Sequence, residues 1–331
     1  MVEFSVVVAD ILKHSCDLLI LKHADGFHGV DALVAEQIGF KRALKIGGHA
    51  FVRGRRVKAQ EVLFLGVGPL SDFRYERIRA FAAQALALAL ADDDGTEVVG
   101  TPLHGPGYGL DEKESFLSMI AGFTDALERG EAPPALSRID IVEINAHRAE
   151  RLAKWLEPIL PGSVPAEGRG PAAPQGGRAV VPARTIKRQL KSFGAASERK
   201  PNLFVAMPYA SKYDDVWDVA IQDSCAKVGI LSERMSEQSF VGDIVSEMKK
   251  RIDQANGMIA LLDGANANVF LEIGYAWAIE KPTILLAGIR TKLPFDVRGQ
   301  RCLKYKSIGD LRTQLIRELQ ELADQGIFSP N

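Results

Sequence analysis

The stretch GMIALLDGANANVFLEIGYAWAIEKPTILLAG, residues 257–288, carries the pattern that decides the fold class. Two of its apolar runs, 257–263 and 282–288, have the length and composition of buried strands. Between them, a loop containing two asparagines leads into the apolar segment 269–281, which is long enough for a helix. Strand, helix and strand in this order predict a βαβ unit of a parallel sheet.

The same alternation extends outward from this stretch over most of the chain. Further strand patterns cover residues 4–10, 16–22, 61–68, 97–105, 138–145, 202–208 and 230–234. Further helical patterns cover residues 30–38, 74–91, 114–130, 146–160, 214–229, 240–255 and 311–323. Since the strands alternate with helices, the sequence predicts an α/β protein made of two doubly wound, three-layer α/β domains.

A change in composition separates the two sets of elements. Residues 161–200 are rich in Pro, Gly and Ala at first and in basic residues afterwards, with few large apolar side chains. Such a segment cannot bury a core of its own, so it is predicted to be a flexible linker that contains one short amphipathic piece. The predicted organisation is therefore a domain over 1–160, a linker over 161–200 and a second domain over 201–331.

Composition narrows the classes of function. The formal net charge of −1 and the pI of about 6.6 give no overall case for binding nucleic acid or a membrane. The three cysteines are scattered and the histidines show no metal spacing, so neither a disulfide framework nor a metal site is expected, and no prosthetic group is predicted. The apolar run 80–91 is too short to span a bilayer. A cytoplasmic protein is the resulting expectation.

Candidate site residues of the second domain lie where its strands end. In open α/β sheets, ligands bind beyond the carboxyl ends of the strands. The residues predicted there to contact a nucleotide are Met207, Pro208, Tyr209, Arg234, Asn266 and Asn268. Asp263 and Glu272 are the candidate catalytic carboxylates. Glu272 lies near the start of a helix, where the helix dipole and loop amides are expected to hold it charged. Such a carboxylate can attack C1′ of a ribose or stabilise a ribosyl cation, although an isolated glutamate in a helix usually has no such role.

The segments 203–221, 255–288 and 293–305 together resemble the TIR-like domains related to nucleoside 2-deoxyribosyltransferases. That resemblance implies that Glu272 is the catalytic glutamate and that Asp263 and Asn268 belong to the loop that contacts the ribose or positions this glutamate. It also implies that 207–209 form the first ligand loop, with Tyr209 standing where Phe is common. NAD is the implied substrate, a homo-oligomer the implied assembly, and bacterial antiphage defence the implied setting.

Two glycine-containing loops, 23–31 and 101–109, mark the first domain. Glycines between a strand and a helix let backbone N–H groups approach a pyrophosphate closely. Residues 1–160 resemble a macro-type domain, in particular the N-terminal domain of leucyl aminopeptidases. The resemblance implies an ADP-ribose-like or cyclic-nucleotide ligand, contacted by Asp10, Ile11, Gly29, Val30, His104, Gly105, Gly107 and Tyr108. Lys22 and His23 replace the asparagines that ADP-ribose hydrolases use, and no peptidase domain follows, so binding is favoured over hydrolysis.

Together these features predict a nucleotide-sensing TIR-like effector that cleaves an N-glycosidic bond, NAD giving nicotinamide and an ADP-ribose product. Three alternatives remain open at this point. The second domain can be a sensor without catalysis, or a nucleoside 2-deoxyribosyltransferase that needs a free base as acceptor. The chemistry can also lie in the first domain, as ADP-ribose hydrolysis.

Overall fold

A computed structural model of the chain describes residues 2–25, 27–93, 95–159, 166–167, 183–192, 200–235 and 244–328. It divides into two compact units. The N-terminal unit contains 1–107 and 112–195, and the C-terminal unit contains 196–331 together with the short segment 108–111. Each unit is built around its own sheet. The predicted α/β class with two domains is confirmed.

The N-terminal unit contains seven strands and five helices among its described residues. The strands are β1 (Glu3–Val8), β2 (Leu18–Ala24), β3 (His49–Arg53), β4 (Glu61–Gly68), β5 (Val98–Pro102), β6 (Arg138–Glu143) and β7 (Ala166–Glu167). The helices are α1 (Val30–Ile38), α2 (Tyr75–Asp92), α3 (Glu112–Arg129), α4 (Ala146–Leu156) and α5 (Ala183–Ser192).

The sheet of this unit has the order β3-β4-β2-β5-β6-β1-β7. Among the described strands every pairing is parallel except that of β3 with β4. Every residue of β2 is buried, and only the first residue of β4 is not. Strands buried on both faces need a layer of helices on each side, which explains their continuous apolar sequences.

The structure differs from the predicted linker over its second half. Helix α5 forms there and buries Ile186 and Leu190 within the N-terminal unit. Its Lys187 lies 2.7 Å from a carboxylate oxygen of Glu128 and 3.6 Å from one of Asp125, both on α3. The amphipathic piece expected in the linker is thus a docked helix. Most of the Pro/Gly-rich part, 161–182, lies outside the described residues except for β7.

The C-terminal unit contains five strands, β8 (Asn202–Ala206), β9 (Leu231–Glu233), β10 (Gly257–Leu261), β11 (Thr283–Gly288) and β12 (Cys302–Tyr305). Its helices are α6 (Asp223–Val228), α7 (Ile244–Gln254), α8 (Ala267–Ala278), α9 (Phe295–Arg298) and α10 (Ile308–Asp324). A π-helix, Val216–Gln222, runs directly into α6. All pairings of the sheet, in the order β12-β11-β10-β8-β9, are parallel.

Alternate residues of these strands pack into two separate cores. Leu203, Val205 and Leu261 join the core that includes residues of the π-helix, α6 and α10. Phe204 and Ala260 join the core on the other face, with residues of α7 and α8. Because successive side chains of a strand point to opposite faces, this sheet lies between two helical layers.

Candidate functional site

The strand order of the C-terminal unit indicates where a ligand site is expected. The chain starts at β8, moves to β9 on one side, and then crosses to β10 on the other side of β8. The connections that leave the carboxyl ends of β8 and β10 therefore diverge, and in open α/β sheets ligands bind at such a switch point. Residues 207–209 follow β8 and residues 263–268 follow β10. The structure thus brings the two predicted loops to one edge of the sheet.

The loop between β10 and α8 has a fixed backbone. Gly264 and Ala265 both have positive φ, at 83° and 48°, and Ala265 is one of few residues other than glycine to adopt this region. A Cβ atom at Gly264 would lie only 2.5 Å from the Tyr213 hydroxyl oxygen. Asn266 then caps α8, because its Oδ1 accepts hydrogen bonds from the amides of Asn268 at 2.9 Å and Val269 at 3.4 Å. Because the Oδ1 of Asn266 is used in the cap, the predicted contact with a nucleotide would have to be made by its side-chain amide nitrogen.

Asp263 connects the ends of three neighbouring strands. Its carboxylate accepts hydrogen bonds from the amide of Gly288 at 2.9 Å and from the hydroxyl groups of Thr291 and Tyr305. Burial, together with the adjacent Asp263 carboxylate, raises the pKa of Tyr305, so its phenol stays a donor. Both carboxylate oxygens of Asp263 are therefore engaged within the protein. This geometry suits a residue that positions the loop before α8.

Glu272 is half-buried and lies next to the packed face of α8. Val269 and Ala276, three residues before it and four after it, are both almost completely buried, and such residues share a helix face with Glu272. Burial raises the pKa of the Glu272 carboxyl to about 8. Within the described residues, no hydrogen bond or ion pair involves this carboxylate. It is a desolvated acid without a fixed cationic neighbour.

The expectation that the helix dipole holds Glu272 charged is wrong. Glu272 is the sixth residue of α8, and the stabilisation of an anion by the dipole falls off within the first turn. Desolvation by the packed face of the helix is the dominant effect instead. In the unliganded protein the carboxyl group is therefore mostly protonated at neutral pH.

Arg234 lies at the carboxyl end of the neighbouring strand β9. Its guanidinium lies 4.6 Å from the centre of the Trp217 ring, and one of its nitrogens is 3.7 Å from the sulfur of Met207. Met207 and Pro208 are buried, whereas Tyr209 is 39% exposed. Trp217 belongs to the π-helix, a rare element that occurs often at functional sites. Arg234 and Met207 are thus adjacent, as the prediction of one site for both requires.

The N-terminal unit places Gly29 at the start of α1. Gly29 has a φ of 57° and is the N-cap residue without a side-chain cap, and a Cβ atom there would meet nothing within 4 Å. Val30 follows and is 39% exposed. Asp10 accepts a hydrogen bond from the amide of Leu12 at 3.0 Å, and Ile11 is buried. The amides at the start of α1 are therefore approachable by an anion.

The glycines of the loop after β5 differ in backbone conformation and in the space around them. Gly105 has a φ of 121°, and a Cβ atom there would come within 2.3 Å of the Ser115 hydroxyl oxygen. Gly107 has open space around it and no positive φ, and the neighbouring Tyr108 is buried. A ligand can approach the backbone closely at Gly107. At Gly105 the glycine is required by the fold itself.

His104 takes a packing role that the sequence did not suggest. Its ring lies 5.0 Å from that of Phe81 and 6.5 Å from that of Phe73, and the residue is only 4% exposed. Burial, with a contribution from Lys22, holds the pKa of His104 well below its usual range, so the imidazole is neutral. The predicted ligand contact rested on its position beside Gly105; the side chain lies in the core instead.

Sequence reasoning missed a buried ion pair beside these loops. The Lys22 ammonium donates to the Asp31 carboxylate, and both residues are almost completely buried. Lys22 belongs to β2 and Asp31 to the first turn of α1, so the pair joins strand to helix. A lysine inside the apolar run 18–24 was the available indication. The described residues contain no His, Cys, Asp or Glu cluster that could hold a metal ion, and none of their helices could cross a membrane.

No family model and no curated protein matches the chain. Similar solved structures include a macrodomain of Trypanosoma brucei in complex with ADP-ribose, with 19% identity and a TM-score of 0.39 over 46% of this chain and 68% of that one. A macrodomain of Oceanobacillus iheyensis with ADP has 14% identity and a TM-score of 0.35 over 46% and 88%. A CMP N-glycosidase of Clostridium botulinum has 17% identity and a TM-score of 0.29 over 35% and 98%. These values are low, so the roles of the site residues follow from the geometry of this chain alone.

Proposed function

We propose that the C-terminal unit hydrolyses the N-glycosidic bond of a nucleotide, with NAD as the first candidate substrate. The desolvated carboxyl of Glu272, in the helix that follows the loop at the switch point of a doubly wound sheet, is the observation that carries the proposal. A buried carboxylate gains most from a ligand that brings a positive charge to it. The nicotinamide–ribose bond of NAD joins a cationic ring to C1′. When this bond breaks, positive charge develops on the ribose, as in a ribosyl cation.

The reaction can be written with defined roles for these residues. The C1′–N bond breaks, and its electron pair leaves with nicotinamide, which becomes neutral. The ionised Glu272 carboxylate stabilises the positive charge that develops at C1′, directly or by transient covalent attack. Oxygen of a water molecule then bonds to C1′, and a proton is released. Asp263 acts as the positioning residue for the loop that leads to α8, through its bonds to Gly288, Thr291 and Tyr305.

The N-terminal unit is proposed to bind the regulatory nucleotide, an ADP-ribose-like or cyclic nucleotide, at Gly29 and Gly107. Both glycines have open space at the Cβ position, so a phosphate can approach the backbone closely there. In this scheme a nucleotide signal controls NAD cleavage within a homo-oligomer. The resemblance to TIR-like domains adds a proposed role as an effector in antiphage defence.

The full chain incubated with NAD, with and without ADP-ribose or cyclic nucleotides, tests the proposal by chromatographic separation of the products. Release of nicotinamide with ADP-ribose supports hydrolysis. Nicotinamide release that needs an added free base indicates base transfer instead. Failure to convert NAD, CMP and 2′-deoxynucleosides under all these conditions would leave a binding module and contradict the enzymatic role.

The pH dependence of turnover should follow the ionisation of Glu272. Because the pKa of its carboxyl in the free protein is about 8, kcat/KM should rise with pH and level off above that value. The reason is that only the carboxylate form opposes the positive charge at C1′. Initial rates at low NAD concentration between about pH 6 and pH 9.5 would measure this rise in kcat/KM. A profile that is flat or falls with pH would show that the charged form is not the active one.

Replacing Gly107 by Val should weaken ADP-ribose binding at least tenfold while the fold stays intact. The new side chain meets no protein atom within 4 Å of its Cβ, and it occupies the space through which a phosphate would approach. Calorimetric titration of the full chain measures the affinity, and thermal unfolding monitors the fold. Gly309→Val, at an equally open glycine in α10, is the matched control and should bind normally. Equal affinities in both variants would remove Gly107 from the site.

A further inference from the structure

A second surface feature of the N-terminal unit lies outside the nucleotide loops. The chain as a whole balances 41 Lys and Arg against 42 Asp and Glu. Residues 41–58, however, contain no acidic residue, and they carry a series of cations: Lys41, Arg42, Lys45, Arg53, Arg55, Arg56 and Lys58. We call this segment the basic edge. Its local charge is opposite to what the overall charge of −1 suggests.

The cations of the basic edge are exposed, and one of them, Arg53, lies opposite Glu61 of β4. All seven side chains are exposed to solvent. None of them takes part in an ion pair with another residue that the structure describes. Elsewhere in the same unit the opposite holds, since Arg148 and Arg151 both pair with the buried carboxylate of Glu112. Unpaired like charges concentrated in one segment repel one another, and an anionic partner would relieve that repulsion.

Aromatic side chains lie among these cations. The basic edge contains β3, which ends the sheet and pairs with β4 alone among the described strands. His49, Phe51 and Arg53 alternate along β3 and share one face, with the His49 and Phe51 rings 5.9 Å apart. Ala50 and Val52, on the other face, pack against a hydrophobic core. This face of β3 thus carries the exposed His49, the half-buried Phe51 and the exposed Arg53.

We propose that the basic edge binds single-stranded nucleic acid. Cations that follow the phosphate backbone, combined with aromatic rings on which bases stack, are the two elements of such sites. Phosphates would pair with the cations at either end of β3, and unpaired bases would stack on Phe51 and His49. Aromatic side chains add little affinity for a duplex, because the bases of a duplex already stack on one another. This proposal differs from the expectation, based on the overall net charge, of a protein without a nucleic-acid partner.

Fluorescence anisotropy of the full chain with labelled oligonucleotides of about 20 residues tests the proposal. Single-stranded RNA, single-stranded DNA and a duplex form three arms, each titrated between about 50 and 200 mM salt. Both single strands should bind more tightly than the duplex, and whichever binds better identifies the natural class. No binding to either single strand at about 50 mM salt would overturn the proposal.

A triple variant, Arg53→Gln with Arg55→Gln and Lys58→Gln, separates this site from general attraction. Loss of three phosphate contacts should lower the slope of log affinity against log salt by about 2 for single strands, and should weaken binding at least tenfold. The matched control removes three exposed cations that are ion-paired elsewhere, Arg129→Gln with Lys154→Gln and Arg317→Gln. An equal loss in both triple variants would overturn the proposal.

Phe51→Leu tests the stacking component, since leucine keeps the bulk and removes the aromatic ring. Single-strand affinity should fall roughly tenfold, with little change for the duplex. Heparin and vesicles containing an anionic lipid are competitors that carry charge without bases. If they compete as well as the oligonucleotides at equal charge and Phe51→Leu changes nothing, the surface is a general polyanion site and the proposal fails.

Discussion

Glu272→Gln is expected to reduce NAD cleavage by a factor of about 10² to 10³ or more, the usual cost of removing one group that stabilises transition-state charge. Glutamine keeps the shape of the side chain and its place between Val269 and Ala276, and it deletes only the ionisable group. The rate of nicotinamide release, measured where the wild-type protein is active, gives the effect. Activity of the Gln variant within a factor of a few of wild type would contradict the assignment.

The same substitution should raise the thermal stability at alkaline pH. The folded protein holds the carboxyl pKa near 8, above its ordinary value of 4.5 in an unfolded chain. Between these two values the folded state binds more protons than the unfolded state, so stability falls as pH rises through this window. The uncharged glutamine of the variant would carry no such cost. Melting temperatures should therefore be similar near pH 5 and should favour the variant at pH 8 and above.

Glu280→Gln serves as the matched control for both measurements. Glu280 lies just beyond the end of α8, about two turns from Glu272, and is exposed. It should leave NAD cleavage and the pH dependence of stability unchanged. If Glu280→Gln lowers activity as much as Glu272→Gln does, the effect reflects the helix as a whole.

Much of the fold was predictable from periodicity. Helix α1 and strand β4 have the predicted bounds, because an amphipathic or fully apolar run with clear ends determines each of them. Strand β3 was missed, since the five residues HAFVR are short, edge-exposed and flanked by basic residues. The π-helix Val216–Gln222 was also missed, because one additional residue per turn leaves little trace in a pattern of apolar positions.

The candidate site was predictable in position and less so in chemistry. The order of strands and helices was enough to place the loops that contain Met207 and Asp263 at the carboxyl edge of one sheet, with Glu272 in the helix that follows the second loop. The partners of Asp263 were not predictable, because Thr291 and Tyr305 follow it by 28 and 42 residues and no motif marks them. The ionisation of Glu272 was predicted wrongly for a related reason. Desolvation depends on what packs against a helix face, and the sequence shows only the helix.

The buried pair of the N-terminal unit shows the same dependence on tertiary contacts, and its disruption should have the largest effect on stability. Lys22→Met removes the ammonium and leaves Asp31 buried without its partner. Breaking a buried pair from one side typically costs about 3–5 kcal/mol. Burial raises the pKa of Asp31 even with Lys22 present, and loss of the lysine would raise it further. The variant carboxyl should therefore keep its proton to a higher pH than the wild-type carboxyl does.

Chemical denaturation of the full chain should show this loss in the transition of the N-terminal unit. The double variant Lys22→Met with Asp31→Leu should recover most of the stability, because replacing a whole buried pair by apolar residues is often neutral or favourable. Lys13→Met is the matched control: its ammonium is 3.6 Å from Asp10, but its side chain is 78% exposed, so the change should stay within about 0.5 kcal/mol. A loss at Lys22 no larger than that at Lys13 would mean that the pair is hydrated in solution. If the double variant is as unstable as Lys22→Met, the loss of stability comes from packing. Removal of the unpaired Asp31 charge would in that case bring no gain.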